Sequence, residues 1–394
     1  MKISNGEAMS INRNLTAEQI LLRDTVRKFA EEVIKPAAKE LDEKEEFSYQ
    51  LTKEMAEMGF LGAFIPESYG GSALDYVSYI IVVEELSRID GSQAATVAAE
   101  NSLGVGPIYY YGNEAQKKKY LPKLAQGHLW GFGLTEPEAG SDAGNTKTIA
   151  VEDGDNWILN GSKIFITNAS TDVTLGSTVL AVTGTTPNGK KEMSCFLVEN
   201  GTPGFEVKQM KHKMMWRASN TSELYFEDCR VPKEAMLGKR GDGFKQMLGT
   251  LDNGRLSIAA MGLGLAQGAF DTAINYAKAR KSFGKPLSTY QATAFKLADV
   301  DMGIELARNY LYDACRMLDN GERISKESAI SKLYCSELAH MAANHCVQIL
   351  GGYGLMKEYD AEKYYRDQKL LEIGEGASEI QRLVISRLIG CFDV

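Results

Sequence analysis

Residues 131–142, GFGLTEPEAGSD, hold residue types suited to gripping a polar ligand. Short hydroxyls at Thr135 and Ser141, the bare backbone at Gly140 and the apolar Leu134 allow N–H and O–H groups to approach a ligand with little side chain in the way. A ligand carrying phosphates and a flat ring suits such a loop. The same types also suit a plain strand-to-turn connection rich in cap residues. Metal chemistry is not expected: the four histidines, at 128, 212, 340 and 345, lack ligand spacing, and His340 and His345 fall on different faces of a predicted helix. The six cysteines, at 195, 229, 315, 335, 346 and 391, contain no C-x-x-C pair and read as reduced, buried thiols.

The elements that must position this loop come from a chain of 394 residues, long enough for two or three domains. A net charge of -8 argues against nucleic acid as a partner. No apolar run approaches the roughly 20 residues that span a bilayer, and the opening residues lack a signal-peptide core, so a cytoplasmic protein without membrane insertion is expected. Met9 is an alternative start.

Residues 16–59 read as helices, the first capped near Thr16 and ending at Pro36. A turn over 64–72 precedes a helix over 76–88. Asp90 then caps another whose face is small, with Ala94, Ala95, Ala98 and Ala99. That face means either close helix packing or room for an apolar ligand tail. From Trp130 the period changes to short runs rich in Val, Ile, Thr and aromatics, which predict a small barrel or a pair of packed sheets. Long helical periods follow over 244–278, 287–320, 326–350 and 378–389 and fit a bundle. The fold class is α+β: an N-terminal helical domain over 1–130, a central β-barrel-like domain over 131–240 and a C-terminal four-helix bundle over 241–394.

Taken in order, these stretches resemble the acyl-CoA dehydrogenase family over almost the whole chain. Residues 134–142, LTEPEAGSD, look like its first signature, and 348–355, QILGGYGL, continuing through Glu358, Lys363 and Asp367, look like its second. KIFITN at 163–168, LDNGR at 251–255, RKSFG at 280–284 and EGASEIQR at 375–382 complete six ordered motifs, which together are far more specific than any one. The resemblance implies FAD, an acyl-CoA substrate, electron-transfer flavoprotein as electron acceptor and a homotetramer.

It also implies roles. Glu375 matches the base that takes the Cα proton while a hydride leaves Cβ for the flavin. Its backbone N–H and a flavin hydroxyl would hold the thioester carbonyl. Without that context Glu375 reads as a first-turn acid on the helix near Ser378. Some relatives carry the base at the position matching Gly254. Leu134, Thr135, Gly140, Ser141, Phe165, Thr167, Arg280, Phe283, Gln291, Gln348, Gly351, Gly352, Ala377 and Glu379 match cofactor positions, with Gln348, Gly351 and Gly352 supplied by a neighbouring subunit. Phe165 stands where many relatives have tryptophan, and otherwise reads as a strand residue facing the barrel core. Ser141, Asp252, Arg255, Gly374 and Gly376 match substrate positions, although Asp252 and Arg255 also read as a surface ion pair. Gly374 replaces a frequent tyrosine and Ala377 a frequent threonine, which points to a short, branched or alicyclic acyl group. The same scaffold also fits an enoyl-CoA reductase, an oxidase or monooxygenase relative, or a non-catalytic acyl-CoA binder.

Overall fold

Thr16 opens the first helix through a reciprocal cap: its hydroxyl accepts from Gln19 N at 3.2 Å, and the Gln19 side chain accepts from Thr16 N at 3.1 Å. A computed structural model describes residues 15–392, so Met9 lies outside the described residues. Helix α1 (Ala17–Phe29) does not stop at Pro36 as the sequence predicts. It passes through a π turn (Ala30–Ile34) into α2 (Lys35–Lys44), with Pro36 in the first turn. The wide turn has already broken the i→i−4 ladder, so the missing proline N–H costs little there. Then come α3 (Tyr49–Glu57), α4 (Tyr76–Ser87), and α5 (Gly91–Ala99) with Asp90 as its cap. A second π segment (Glu100–Val105), α6 (Gly106–Tyr111) and α7 (Glu114–Ala125) complete the first section.

The central section is one eight-stranded sheet. Its strands are β1 (Leu129–Gly133), β2 (Ile149–Asp153), β3 (Asn156–Thr167), β4 (Thr174–Thr185), β5 (Lys191–Glu199), β6 (Phe205–Gln209), β7 (Thr221–Pro232) and β8 (Met236–Leu237). They pair in the order β6-β7-β3-β2-β4-β5-β8, with β1 parallel on β4. Trp157 on β3 and Phe196 on β5 are three strands apart, roughly 14 Å in a flat sheet. Their ring centroids lie 5.4 Å apart, so the sheet rolls around its own core of Leu159, Phe205, Leu224 and Phe226.

The third section holds α8 (Gly243–Ala279), a hairpin of β9 (Lys281–Ser282) and β10 (Lys285–Pro286), α9 (Gln291–Asp319), α10 (Ser325–Leu350), α11 (Ala361–Asp367) and α12 (Ser378–Leu388). Leu287–Thr289 is a separate 3-10 turn rather than the start of α9. The small residues of α8 are packing points. A Cβ on Gly264 or Gly268 would fall on the carbonyl oxygens of Glu84 and Arg88, so α4 lies backbone-close on α8. A Cβ on Gly262 would lie 2.7 Å from the Cys335 carbonyl oxygen of α10. All twelve residues of α4 are buried, and Glu84 among them accepts from Arg308 at 2.9 Å and Tyr312 at 2.7 Å on α9. Helices of the first and third sections therefore share one apolar core, in which Ile80, Ile81, Val82 and Val83 are fully buried. Each such side chain contributes roughly 1.5–3 kcal/mol.

Lys363, a letter of the second signature, bridges Asp90 and Asp367, and Asp367 accepts from Trp216 N at 2.9 Å. That buried network pins the cap of α5, α11 and the loop after β6 together. Five cysteines are buried, but Cys391 is exposed, since it follows the end of α12 and packs under nothing. No described helix is long and apolar enough to cross a membrane.

Glu100, fully buried at the start of the second π segment, accepts from Trp130 N at 2.9 Å, and its other oxygen has no partner. Burial pushes its carboxyl well above the ordinary range. A raised acid is neutral in the fold and ionises more readily unfolded, so its stability contribution is intact below about pH 4.3 and falls by about 1.4 kcal/mol per unit as pH rises above that. Glu100→Gln is expected to outlast the native protein in thermal melts at pH 7, with the gap closing towards pH 4.5. A gap of constant size across that range would refute this account.

Candidate active site

Glu375 sits in the turn between the 3-10 segment Gln368–Glu372 and α12. Its backbone is left-handed (φ +52°), as is that of Gly376 (φ +95°), a conformation a glutamate adopts only when its surroundings impose it. Those surroundings are visible. Gln381 Nε2 donates to the carbonyls of Glu375 (3.2 Å) and Gly376 (2.8 Å), and Lys332 Nζ donates to Gly376 at 2.8 Å. The Glu375 N–H makes no hydrogen bond among the described residues. Nor does Glu375 cap the next helix, whose N-cap is Ala377.

The carboxylate lies under α8 at Gly254. A Cβ there would fall on Glu375 Oε2, 3.2 Å from the carboxyl carbon and 3.4 Å from Leu103 Cδ2. Glycine at 254 thus makes room for the acid. Oε2 is buried and has no hydrogen-bond partner. Burial raises the Glu375 pKa to about 7, against the opposing pull of Lys332 and Arg255. A base poised there is half-ionised near neutral pH, and one of its oxygens is bonded by no described group.

Arg255 is buried and pairs with Asp252 at 2.6 Å, and Asp252 also accepts from Ser325 Oγ at 2.7 Å. The reading of this pair as a surface one fails: α8 turns Arg255 inward, leaving its Nε buried without a partner. Gly374 is half-buried, and the atoms nearest to a Cβ there would be those of Leu370 at 3.4–3.8 Å, ordinary contact distances.

The loop after β1 builds a wall of its own. Ile164 N donates to Thr135 O at 2.9 Å. Lys163, fully buried, donates to Glu136 at 2.7 Å and Leu134 O at 3.2 Å. Glu136 further accepts from Lys147 N (2.6 Å), Thr148 N (3.0 Å) and Thr148 Oγ1 (2.7 Å). Burial alone would raise the Glu136 carboxyl, but Lys163 and these donors leave it lowered, while burial brings the Lys163 pKa down to about 8. In the sequence both residues stand only as letters of motifs, without a role of their own. Nothing local in the chain marks the two charges as partners.

Beyond Lys163, β3 bulges before Ile166. Phe165 takes φ +62° and its ring is 62% exposed, so it does not face the barrel core. The bulge turns it outward. Thr167 is half-buried, Ser141 exposed, and the hydroxyls of Thr135, Ser141 and Thr167 make no hydrogen bonds among the described residues. Leu134 is buried beneath them. Asn168 donates to Thr96 O at 3.0 Å, which ties this wall to α5, where Ala95 and Ala98 are buried and Ala99 is half-buried.

The remaining expected cofactor residues lie elsewhere. Arg280, Phe283, Gln291, Gln348, Gly351, Gly352 and Glu379 are exposed on the third section; Ala377 and Gly376 are half-buried beside Glu375. Phe283, 96% exposed, and Gly284 both take positive φ at the tip of the β9–β10 hairpin. The Arg280 guanidinium lies 5.8 Å over the Tyr353 ring, next to Gly351 and Gly352. At Gly140, Gly351 and Gly352 an added Cβ would meet nothing. Free hydroxyls, an outward ring and open glycine edges fit FAD: Thr135, Ser141 and Thr167 offer donors, Phe165 an aromatic face and Arg280 a cation for phosphate.

A rolled sheet between two helical sections, a buried unpartnered carboxylate oxygen on Glu375 and a loop with free hydroxyls and an outward aromatic ring are features that a flavin-dependent dehydrogenase requires. The chain belongs to the acyl-CoA dehydrogenase family, whose N-terminal, middle and C-terminal domains match residues 16–128, 131–229 and 241–390. It is 49% identical over 378 residues to the probable acyl-CoA dehydrogenase YngJ of Bacillus subtilis, covering 96% of this chain and 99% of that one. It is 45% identical over 374 residues to the short-chain-specific acyl-CoA dehydrogenase of Clostridium acetobutylicum, covering 95% and 98%. Among solved structures, butyryl-CoA dehydrogenase from Megasphaera elsdenii matches with a TM-score of 0.91 at 41% identity, over 95% of this chain and 99% of that one. The protein is an acyl-CoA dehydrogenase oxidoreductase with FAD as its cofactor.

Proposed function

We propose that this enzyme desaturates a short, branched or alicyclic acyl-CoA between Cα and Cβ, with Glu375 as the base. The observation that carries this reading is Glu375 Oε2, buried, unpartnered and held near neutral pKa. FAD, when bound, supplies the acceptor for the Cβ hydride. The chain does the rest. Glu375 takes the Cα proton, and its free backbone N–H donates to the thioester oxygen as negative charge develops there. Arg255, with its unpartnered Nε, and Asp252 hold the CoA portion together with Ser141; Gly374 and Gly376 leave space around the reacting carbons.

Electrons pass to electron-transfer flavoprotein in the cytoplasm. Support comes from a similar solved chain, 43% identical with a TM-score of 0.92, from a study of the electron transferring flavoprotein of Acidaminococcus fermentans. A homotetramer, in which a neighbour supplies Gln348, Gly351 and Gly352, is supported by Phe295, Met302, Leu306 and Tyr310, an exposed apolar stripe along α9. Sections bounded at 130/131 and 240/241 belong to the same proposal; the second boundary lies just before α8, and the first falls inside β1.

The acyl preference rests on the missing side chain at Gly374, since Ala94, Ala95 and Ala98 of α5 are packed in the core, while the Clostridium relative is named short-chain specific and the Megasphaera structure is a butyryl-CoA dehydrogenase. Anaerobic mixing with linear, branched and alicyclic acyl-CoAs, read as bleaching of the flavin band, tests it. Gly374→Tyr should slow the bulky substrates about tenfold more than butyryl-CoA, the size of a single steric misfit of about 1.4 kcal/mol. Equal slowing of both would remove the branched or alicyclic reading.

A further inference from the structure

Lys332, on α10, is fully buried, and its Nζ donates to the Gly376 carbonyl oxygen at 2.8 Å. It forms no ion pair among the described residues. A buried ammonium without a carboxylate partner is costly, and an apolar side chain would pack the same volume without that cost. Anchoring Gly376 does not explain the charge, because Gln381 Nε2 already donates to the same carbonyl at 2.8 Å. Gly376 is the neighbour of Glu375 in the chain, and the Lys332 charge opposes the burial that raises the Glu375 carboxyl.

The other groups around that carboxylate do not replace it. Arg255 on α8 shares its charge with Asp252. Tyr79 on α4 is a neutral phenol that bonds Ser257 and Ala98. Glu372, which bonds Lys369 and faces His340, and Glu379 on α12 add negative charge nearby. Among the described residues Lys332 is thus the cation at the site that forms no ion pair, and burial lowers its pKa to about 8, which leaves it charged at neutral pH.

Resting on the reading of Glu375 as base, we propose that Lys332 is a positioning residue: its buried ammonium clamps the left-handed Glu375–Gly376 turn and favours the ionised carboxylate in a site otherwise too apolar to hold one. The two parts separate experimentally. Lys332→Gln keeps a donor for Gly376 and loses the charge; Lys332→Arg keeps both.

The test is anaerobic flavin bleaching by butyryl-CoA in the FAD-loaded enzyme between pH 5.5 and 8. For Lys332→Gln the acid limb should move up by about one unit, which makes bleaching about tenfold slower at pH 6 with acyl-CoA affinity little changed. Lys332→Arg should restore the native limb. A native limb in Lys332→Gln, or slowing by one factor at every pH, would overturn the proposal. If Lys332→Gln does not hold FAD, the infrared carboxyl band lost in Glu375→Gln decides in native protein. It should titrate near 7, and a protonated band persisting above about pH 9 would overturn the proposal. Bleaching that survives in Glu375→Gln would instead refute the base assignment itself.

Discussion

Glu375→Gln is expected to stay yellow and bind acyl-CoA while losing flavin bleaching by about 10²–10⁴-fold, the range for removing a positioned general base. The amide fills the same space under Gly254, so packing changes little. It also leaves the backbone N–H free for the thioester oxygen. In the native enzyme the raised pKa fixes the sign of the pH effect. Below about 7 the carboxyl holds its own proton and cannot accept another, so the free-enzyme rate falls as pH drops through that value. Bleaching by Glu375→Gln within tenfold of native would show that another group takes the proton.

The second large effect lies in the loop after β1. Glu136→Gln removes the only carboxylate bonded to fully buried Lys163 among the described residues. Breaking one partner of such a pair costs about 3–5 kcal/mol, because the survivor is left charged and dry. The damage is local as well as global, since Glu136 gathers the backbone of Lys147 and Thr148 while Lys163 holds Leu134 O. The expected result is a lower melting temperature together with weaker FAD retention. Glu136→Gln combined with Lys163→Met should recover much of the stability, since no charge is then stranded. A single variant that melts with the native protein and keeps its flavin would show that the pair does not fasten the loop.

What could be read from the chain depended on how local the cause was. Thr16 with Gln19, and Asp90 with Gln93, declare their helix starts within three residues, and both caps form. Pro36 misled because the π turn that accommodates it is a property of the helix ahead of it rather than of proline. The rolled sheet showed in its short β-branched runs, yet the outward turn of Phe165 depends on a bulge against β7. At the site, Glu375 was identifiable only as a letter in a motif. Its left-handed backbone and the reason for glycine at 254 are facts about two segments distant in sequence. Glu136, Lys163 and Lys332 stayed silent for the same reason: a charged residue reads as solvated until something shows it is enclosed.

The wholly enclosed α4 carries a consequence for synthesis. Its twelve residues pack on α8 more than on any other element, and α8 leaves the ribosome only after the entire sheet section has been made. At 5–20 residues per second the interval is roughly 10–40 s. Throughout it a nascent helix bearing Ile80, Ile81, Val82 and Val83 has α1 and α5 to pack on but lacks α8 and α9. Newborn chains are thus most vulnerable to clumping midway through translation, and a holding chaperone would matter most in that window.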